Sequence, residues 1–197
     1  MASEKRAQDR RVQKTQALLH EALGSLIREK PYDEIVVKEI LDRANVGRST
    51  FYMHYRDKDE LLASGIYDML QGFHAGDLPM PGKKHERVIR FSLPVFEHIH
   101  RHRRAGATGI GARARTILHA RLQQVLAERI ADDVGKALRG RHKAAGHIPS
   151  ELLVQYVAST FVLVLNWWVE SNSQLSATEV NSLFRALTIP TLSAGLD

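Results

Sequence analysis

Residues 32–62 read YDEIVVKEILDRANVGRSTFYMHYRDKDELL, and the fold turns on this stretch. Ile35, Val37, Ile40, Leu41 and Ala44 recur at three- and four-residue intervals, which places them on one face of a helix. Asn45-Val46-Gly47 interrupts that spacing with two residues that tolerate left-handed backbone, so a tight turn is predicted there. A second short helix, from Arg48 to about Tyr55, follows the turn. Two helices joined by three or four residues form a helix-turn-helix, whose second helix enters a DNA major groove. In that geometry Arg48 opens the reading helix, and its fork matches guanine O6 and N7. The competing role for Arg48 is a phosphate contact. Ser49 is small enough to let the backbone approach the groove floor, and Thr50 suits a phosphate or a thymine methyl. Phe51 and Tyr55 lie four apart on one side and are assigned to the core.

Working outward, Val12 to Glu29 reads as a helix with Leu18, Leu19, Ala22, Leu23, Leu26 and Ile27 turned inward. Residues 1–11, with Lys5, Arg6, Arg10 and Arg11, read as a flexible basic arm able to reach a minor groove, or as a solubilising tail. Asp57 followed by Glu60 resembles a capping box and starts a fourth helix. Lys58 lies in its first turn, where side chain and amide would both face an approaching phosphate, and Lys38 is a second candidate backbone contact. Beyond a Gly76–Gly82 loop, helices are predicted over about 84–103, with Pro94 as a kink, and over 116–138. Ser150 is predicted to cap a long apolar helix to Glu170, and Ser176 with Glu179 a last one. No strand pattern or repeat is present, so the fold class is all-α.

Hydrophobic residues make up 44% of the 197, enough for a sizeable core, and cysteine is absent, which excludes disulfides and thiolate metal sites. The charged N-terminus lacks the apolar block of a signal peptide, so a cytoplasmic location is expected. The apolar run Leu152–Val169 is interrupted by Gln155, Ser159, Thr160 and Asn166 and is read as a buried helix, with no membrane partner. Net charge is +6, yet residues 1–60 hold twelve Lys/Arg against eleven Asp/Glu, while 83–121 hold ten against two. The inference of DNA binding therefore rests on local arrangement, not on bulk charge. His98, His100 and His102 do not make a three-ligand metal face, since His100 points away from the other two on a helix. Arg101, Arg103 and Arg104 nearby would repel a cation; they suit an acidic or phosphorylated effector, or else form a solvated basic surface or helix-end charges opposing a C-terminal dipole. No catalytic constellation, metal site or cofactor is expected.

From about Gln13 to Leu62 the order of motifs resembles the N-terminal domain of TetR/AcrR-type transcriptional regulators. The Thr15–Glu29 helix, the Pro31-Tyr32 turn, the Val36–Ala44 helix, the GRSTFY run at 47–52 and the DKDELL end at 57–62 carry the likeness. Val36 stands where the family commonly has a hydroxyl cap, Asn45 where it has Gly, and Pro31 where it has Gly. The resemblance implies an N-terminal three-helix DNA-binding domain, here 12–60, and a larger helical effector-binding and dimerisation domain, here 61–197. It also implies that Tyr52 and His54 anchor phosphates, that Met53 touches bases, and that Gly47 belongs to the same DNA-facing set.

By the same resemblance the protein is a homodimer on a palindromic operator, a repressor released by a small-molecule effector. Its C-terminal helices would form the dimer interface. On the first of them the expected residues are Leu153, Tyr156, Val157, Thr160, Phe161, Val164 and Trp168; on the second, Val180, Leu183, Phe184 and Leu187. Phe96, His100, Arg104, Leu118 and Trp167 are the expected effector-pocket residues. The alternative is an adaptor or coactivator that keeps the scaffold and works through a protein partner, a reading favoured by the nearly neutral reading domain.

Overall fold

The computed structural model describes residues 2–72, 83–104, 111–139, 148–171 and 173–196. Among them the order is α1 (Ala2–Glu29), a 3-10 turn (Tyr32–Glu34), α2 (Val37–Ala44), α3 (Arg48–His54) and α4 (Lys58–Gly72). There follow α5 (Lys84–Ile89), α6 (Ser92–Arg104), α7 (Ala112–Ala137), α8 (Ser150–Glu170) and α9 (Ala177–Leu196), with no strand among the described residues. The predicted loop at 76–82 and most of that at 140–149 lie outside the described residues.

Local chemistry explains where these helices begin and end. α1 takes in the stretch expected as an arm, because Ala2, Glu4, Lys5, Arg6, Ala7 and Gln8 are all strong helix formers. α2 has no hydroxyl cap, but the Glu39 carboxylate accepts the Val36 N–H at 3.0 Å and closes that end. Asn45 ends α2 at φ 51° and ψ 47°, the left-handed backbone its side chain tolerates, and its N–H donates back to the Leu41 carbonyl. At α4 the Asp57 carboxylate accepts the Glu60 N–H at 2.8 Å, while Glu60 reaches back to the Arg56 N–H, one residue earlier than a standard box.

Three predicted helix features differ from the structure. The helix expected over 84–103 is two, broken at Arg90-Phe91. Pro94 has no N–H to give the Arg90 carbonyl four residues back, so it starts a new helix instead of kinking one. Ser150 is the first residue of α8 and makes no cap bond; the boundary residue is Pro149. Leu18, predicted inward, is an exposed side chain. The Ser176–Glu179 box before α9 is complete in both directions.

The chain forms two compact units. The first comprises Met1–Asp68 and Arg103–Leu118, the second Met69–His102 and His119–Asp197. In the first, Leu19, Leu23 and Leu26 of α1 pack with Tyr32, Ile35, Ile40, Phe51, Tyr55 and Leu61. Ala114, at the start of α7, is buried in the same core. In the second, Phe91, Phe96, Phe161, Phe184 and Trp168 form a ring cluster with edge and tilted contacts 4.7–6.3 Å apart. A buried Ser92–Asn181 hydrogen bond of 2.6 Å ties α6 to α9 beside it. Among the described residues α8 alone is long and apolar enough to cross a membrane, and 56% of its apolar window is buried in protein.

Candidate DNA interface

α3 is held from one side only. Phe51 is fully buried and Tyr55 nearly so, and their rings lie 5.8 Å apart in the core of the first unit. Phe51 marks the inner face of α3, and Tyr55, the extended residue that ends the helix, turns back into the same core. Arg48, Ser49, Tyr52 and Met53 are accordingly exposed, Met53 at 73%, and Thr50 and His54 are half-buried. The Arg48 guanidinium lies 5.6 Å from the centre of the Tyr52 ring one turn on, a contact that limits where its fork can swing. Gly47 is the boundary residue of α3 at φ −67° and ψ 148°, an extended conformation open to any residue. A Cβ there would meet only the Thr50 hydroxyl at 3.9 Å, so nothing inside the protein demands glycine. Lys38 is exposed in the first turn of α2.

Lys58 is placed otherwise than the sequence suggests. Its ammonium donates to the carbonyls of Tyr32, Asp33 and Ile35 at 2.8, 3.3 and 2.7 Å and lies 4.4 Å over the Tyr32 ring. An ammonium has three N–H donors, and three carbonyls take them. Its side chain therefore fastens α4 to the 3-10 turn and does not face outward as a phosphate contact. The signal was ambiguous because a lysine in a first helical turn reads the same in sequence whether it points out or back.

A further set of residues around this corner was not legible in sequence. The Tyr32 hydroxyl donates to Asp59 Oδ1 at 2.5 Å, and Arg113 Nη2 lies 2.5 Å from the other carboxylate oxygen. Burial, followed by the Asp59 carboxylate, pushes the Tyr32 phenol far up. Burial also pushes Asp59 up, but the Tyr32 hydroxyl, Arg113 and Lys58 together outweigh it and hold its carboxyl below the ordinary 3.8. A carboxyl depressed by folding stabilises above its unfolded value, and that contribution is lost as pH falls through the folded value. Acid unfolding of the first unit should therefore steepen below about pH 4, and Asp59→Asn should flatten that limb, read by circular dichroism. An unchanged acid limb in the variant would remove Asp59 from the corner's electrostatics. Arg113 and Ala114 lie more than fifty residues from these partners, and no local pattern marks so distant a pairing.

The C-terminal residues divide differently from the expectation. Leu153, Val157, Phe161, Trp168, Val180 and Phe184 are buried within the protomer, as are Thr160 and Val164, and cannot present a surface to another chain. Trp168 donates its indole N–H to the Leu175 carbonyl at 3.0 Å and belongs to the ring cluster. Trp167, expected in a pocket, is 47% exposed. Of the two tryptophans Trp168 is thus the inner and Trp167 the outer, since neighbours on a helix point about 100° apart. The large apolar side chains left exposed here are Leu152, Leu163, Trp167 and Val169 on α8 and Leu183 and Leu187 on α9. Tyr156, half-buried, joins the two helices by donating to the Leu187 carbonyl at 2.8 Å.

Of the expected pocket residues, Phe96 is fully buried in the ring cluster and His100 stacks on Trp168, with planes 7° apart and centres 5.7 Å apart. The His100 Nδ1 is buried without a partner among the described residues. Arg104 and Leu118 belong to the first unit and the other three to the second, and the Arg104 side chain lies outside the described residues. Among the described residues no group of three His, Asp or Glu side chains converges as a metal site.

A short outward-facing helix behind a tight turn, on an otherwise all-helical chain, defines a helix-turn-helix protein. Residues 19–64 match the family model described as bacterial regulatory proteins, tetR family. Over these residues the chain is similar to the DNA-binding domain of that family.

Among curated proteins it is 30% identical over 96 residues to an uncharacterized HTH-type transcriptional regulator, YxbF, of Bacillus subtilis (strain 168). That match takes in 45% of this chain and 24% of the relative, so the chain spans about a quarter of that protein's length. Among solved structures it resembles a TetR transcriptional regulator from Streptococcus agalactiae 2603V, at TM-score 0.56 and 22% identity over 93% of this chain and 98% of that one. It also resembles the dihydroxyacetone kinase operon activator DhaS, at TM-score 0.60 and 14% identity over 93% and 98%. At these identities the two structures speak for the fold.

Proposed function

We propose that this protein is a dimeric, sequence-specific DNA-binding regulator of the cytoplasm, a repressor released by a small-molecule effector. The observation that carries the reading is the outward set of α3: Arg48, Ser49, Tyr52 and Met53 exposed on a helix pinned by Phe51 and Tyr55. Arg48 reads a base edge; Ser49 and Met53 lie against the groove floor; Gly47, Thr50, Tyr52, His54 and Lys38 hold the sugar–phosphate walls. Lys58 contributes by positioning the start of α4. In this reading residues 12–60 recognise DNA and 61–197 bind effector and partner, with the start of α7 supporting the reading domain through Arg113 and Ala114.

Two reading heads on a palindrome require a two-fold dimer. The exposed face of Leu152, Leu163, Trp167, Leu183 and Leu187 supports one, since an apolar patch of this kind is costly to leave in water. Leu163→Asp is expected to raise the dimer dissociation constant at least about tenfold, because two desolvated carboxylates would face each other. Sedimentation equilibrium measures it, and an unchanged dimer would move the interface elsewhere. The His100 ring, with its unpartnered Nδ1 above Trp168, supports an effector contact in the second unit.

The test is a footprint and a salt titration of the wild-type protein on duplex flanking its own gene. A protected palindrome whose affinity falls linearly in log salt is expected. Absence of any sequence-selective shift would favour the adaptor reading. Because an activator shares this fold, a reporter driven by the protected promoter decides the direction: deletion of the regulator should raise expression.

A further inference from the structure

In the second unit Arg87 of α5 and Arg90, just past its end, bring two guanidinium groups to one carboxylate of α7, and Arg129 of α7 lies near enough to feel Arg90 and Asp133. Asp133 is 4% exposed, with Arg87 Nε at 3.4 Å and Arg90 Nη2 at 3.9 Å from the same oxygen. Arg129, one turn before Asp133, is half-buried and donates to the Leu70 carbonyl at 3.2 Å. Burial first, and then the Arg90 charge, lower its pKa, while Asp133 acts in the opposite sense. Neighbouring Asp132 is exposed and paired first with Lys136, and it attracts Arg87 only weakly.

Three features make this more than a self-contained ion pair. First, the charges do not match: two cations reach one buried anion and a third lies near it, and like charges at short range disfavour each other. Second, the geometry is loose. A guanidinium and a carboxylate satisfy each other as a bidentate pair at about 2.7–2.9 Å; neither arginine reaches that distance here. Third, the carboxylate lies beneath while the Arg87 and Arg90 side chains are 55% and 38% exposed, so their unfilled N–H edges border solvent.

We propose that Arg87, Arg90 and Arg129 form a binding site for a small oxyanion-bearing ligand, a phosphate or carboxylate group, with Asp133 as the built-in anion that holds the forks apart. Arg is suited to this because its planar fork presents paired donors to two oxygens at once. An incoming dianion would bridge the forks and supply the missing countercharge. The site lies entirely within the second unit, and its occupancy can be read without DNA, so it stands or falls independently of the regulatory reading.

The experiment uses the full chain, with inorganic phosphate and acetate as probes and chloride at matched ionic strength as the control. Calorimetry and thermal melting should show saturable binding of phosphate at one per chain, with a concentration-dependent rise in Tm. Acetate should compete more weakly if the natural group is a phosphate, and at least as well if it is a carboxylate. Arg129→Gln and Arg90→Gln should each weaken phosphate at least tenfold. Asp133→Asn should tighten it severalfold, because the internal competitor is gone. A response no larger than that of chloride overturns the site. So does undiminished phosphate binding in both arginine variants, which remain informative should Asp133→Asn fail to fold.

Discussion

Arg48→Ala is expected to abolish sequence-selective DNA binding while leaving dimer and fold intact. The side chain is exposed, makes no ion pair among the described residues and touches only the Tyr52 ring, so its removal leaves no buried group unpaired. A bidentate arginine–guanine contact contributes about 1–3 kcal/mol of discrimination, and a two-fold dimer makes it twice. Affinity for the protected palindrome should then fall roughly 30-fold to 10⁴-fold. Binding to unrelated duplex should change far less, because phosphate contacts from Lys38 and the α3 hydroxyls remain. Fluorescence anisotropy on the two duplexes, with light scattering for the dimer, measures this. An equal loss on both would assign Arg48 to the backbone instead of the bases.

Phe51→Ala attacks the same function from the opposite side of the helix. The ring is fully buried, 5.2 Å from Tyr52 and 5.8 Å from Tyr55, in a core built from α1 to α4, the 3-10 turn and the start of α7. Truncating a buried phenylalanine costs about 3–5 kcal/mol, a large share of what so small a unit can hold in reserve. The variant should lose DNA binding because α3 no longer has a surface to lie on, while the second unit retains its packing. Hydrogen exchange should show protection lost over α2 and α3 and kept over α8. Full retention of exchange protection in α3 would mean that this helix does not depend on its ring. Together the two variants separate reading from scaffolding: Arg48→Ala removes a contact from an intact helix, and Phe51→Ala removes the helix.

Local chemistry was enough to specify the helix-turn-helix. Apolar spacing placed Ile40, Leu41 and Ala44 inside; Asn45 marked the left-handed turn; and the four-residue step from Phe51 to Tyr55 fixed which face of α3 points out. The Ser176–Glu179 box likewise announced α9. Such signals survive in sequence because the interacting groups lie within four residues of one another. Lys58 could not be read in this way, since its three carbonyl partners are supplied by a turn more than twenty residues earlier.

The long-range choices belonged to tertiary packing. α8 is apolar nearly all round, so periodicity alone could not say that Phe161 and Trp168 face the ring cluster while Leu163 and Trp167 face outward. That division depends on which side α5, α6 and α9 occupy. The pairing of Arg113 with Asp59, and the gathering of Arg87, Arg90 and Arg129 at Asp133, likewise depend on helices far apart in the chain. A charged side chain carries no address for its partner; only the packing of the apolar faces brings the two within reach.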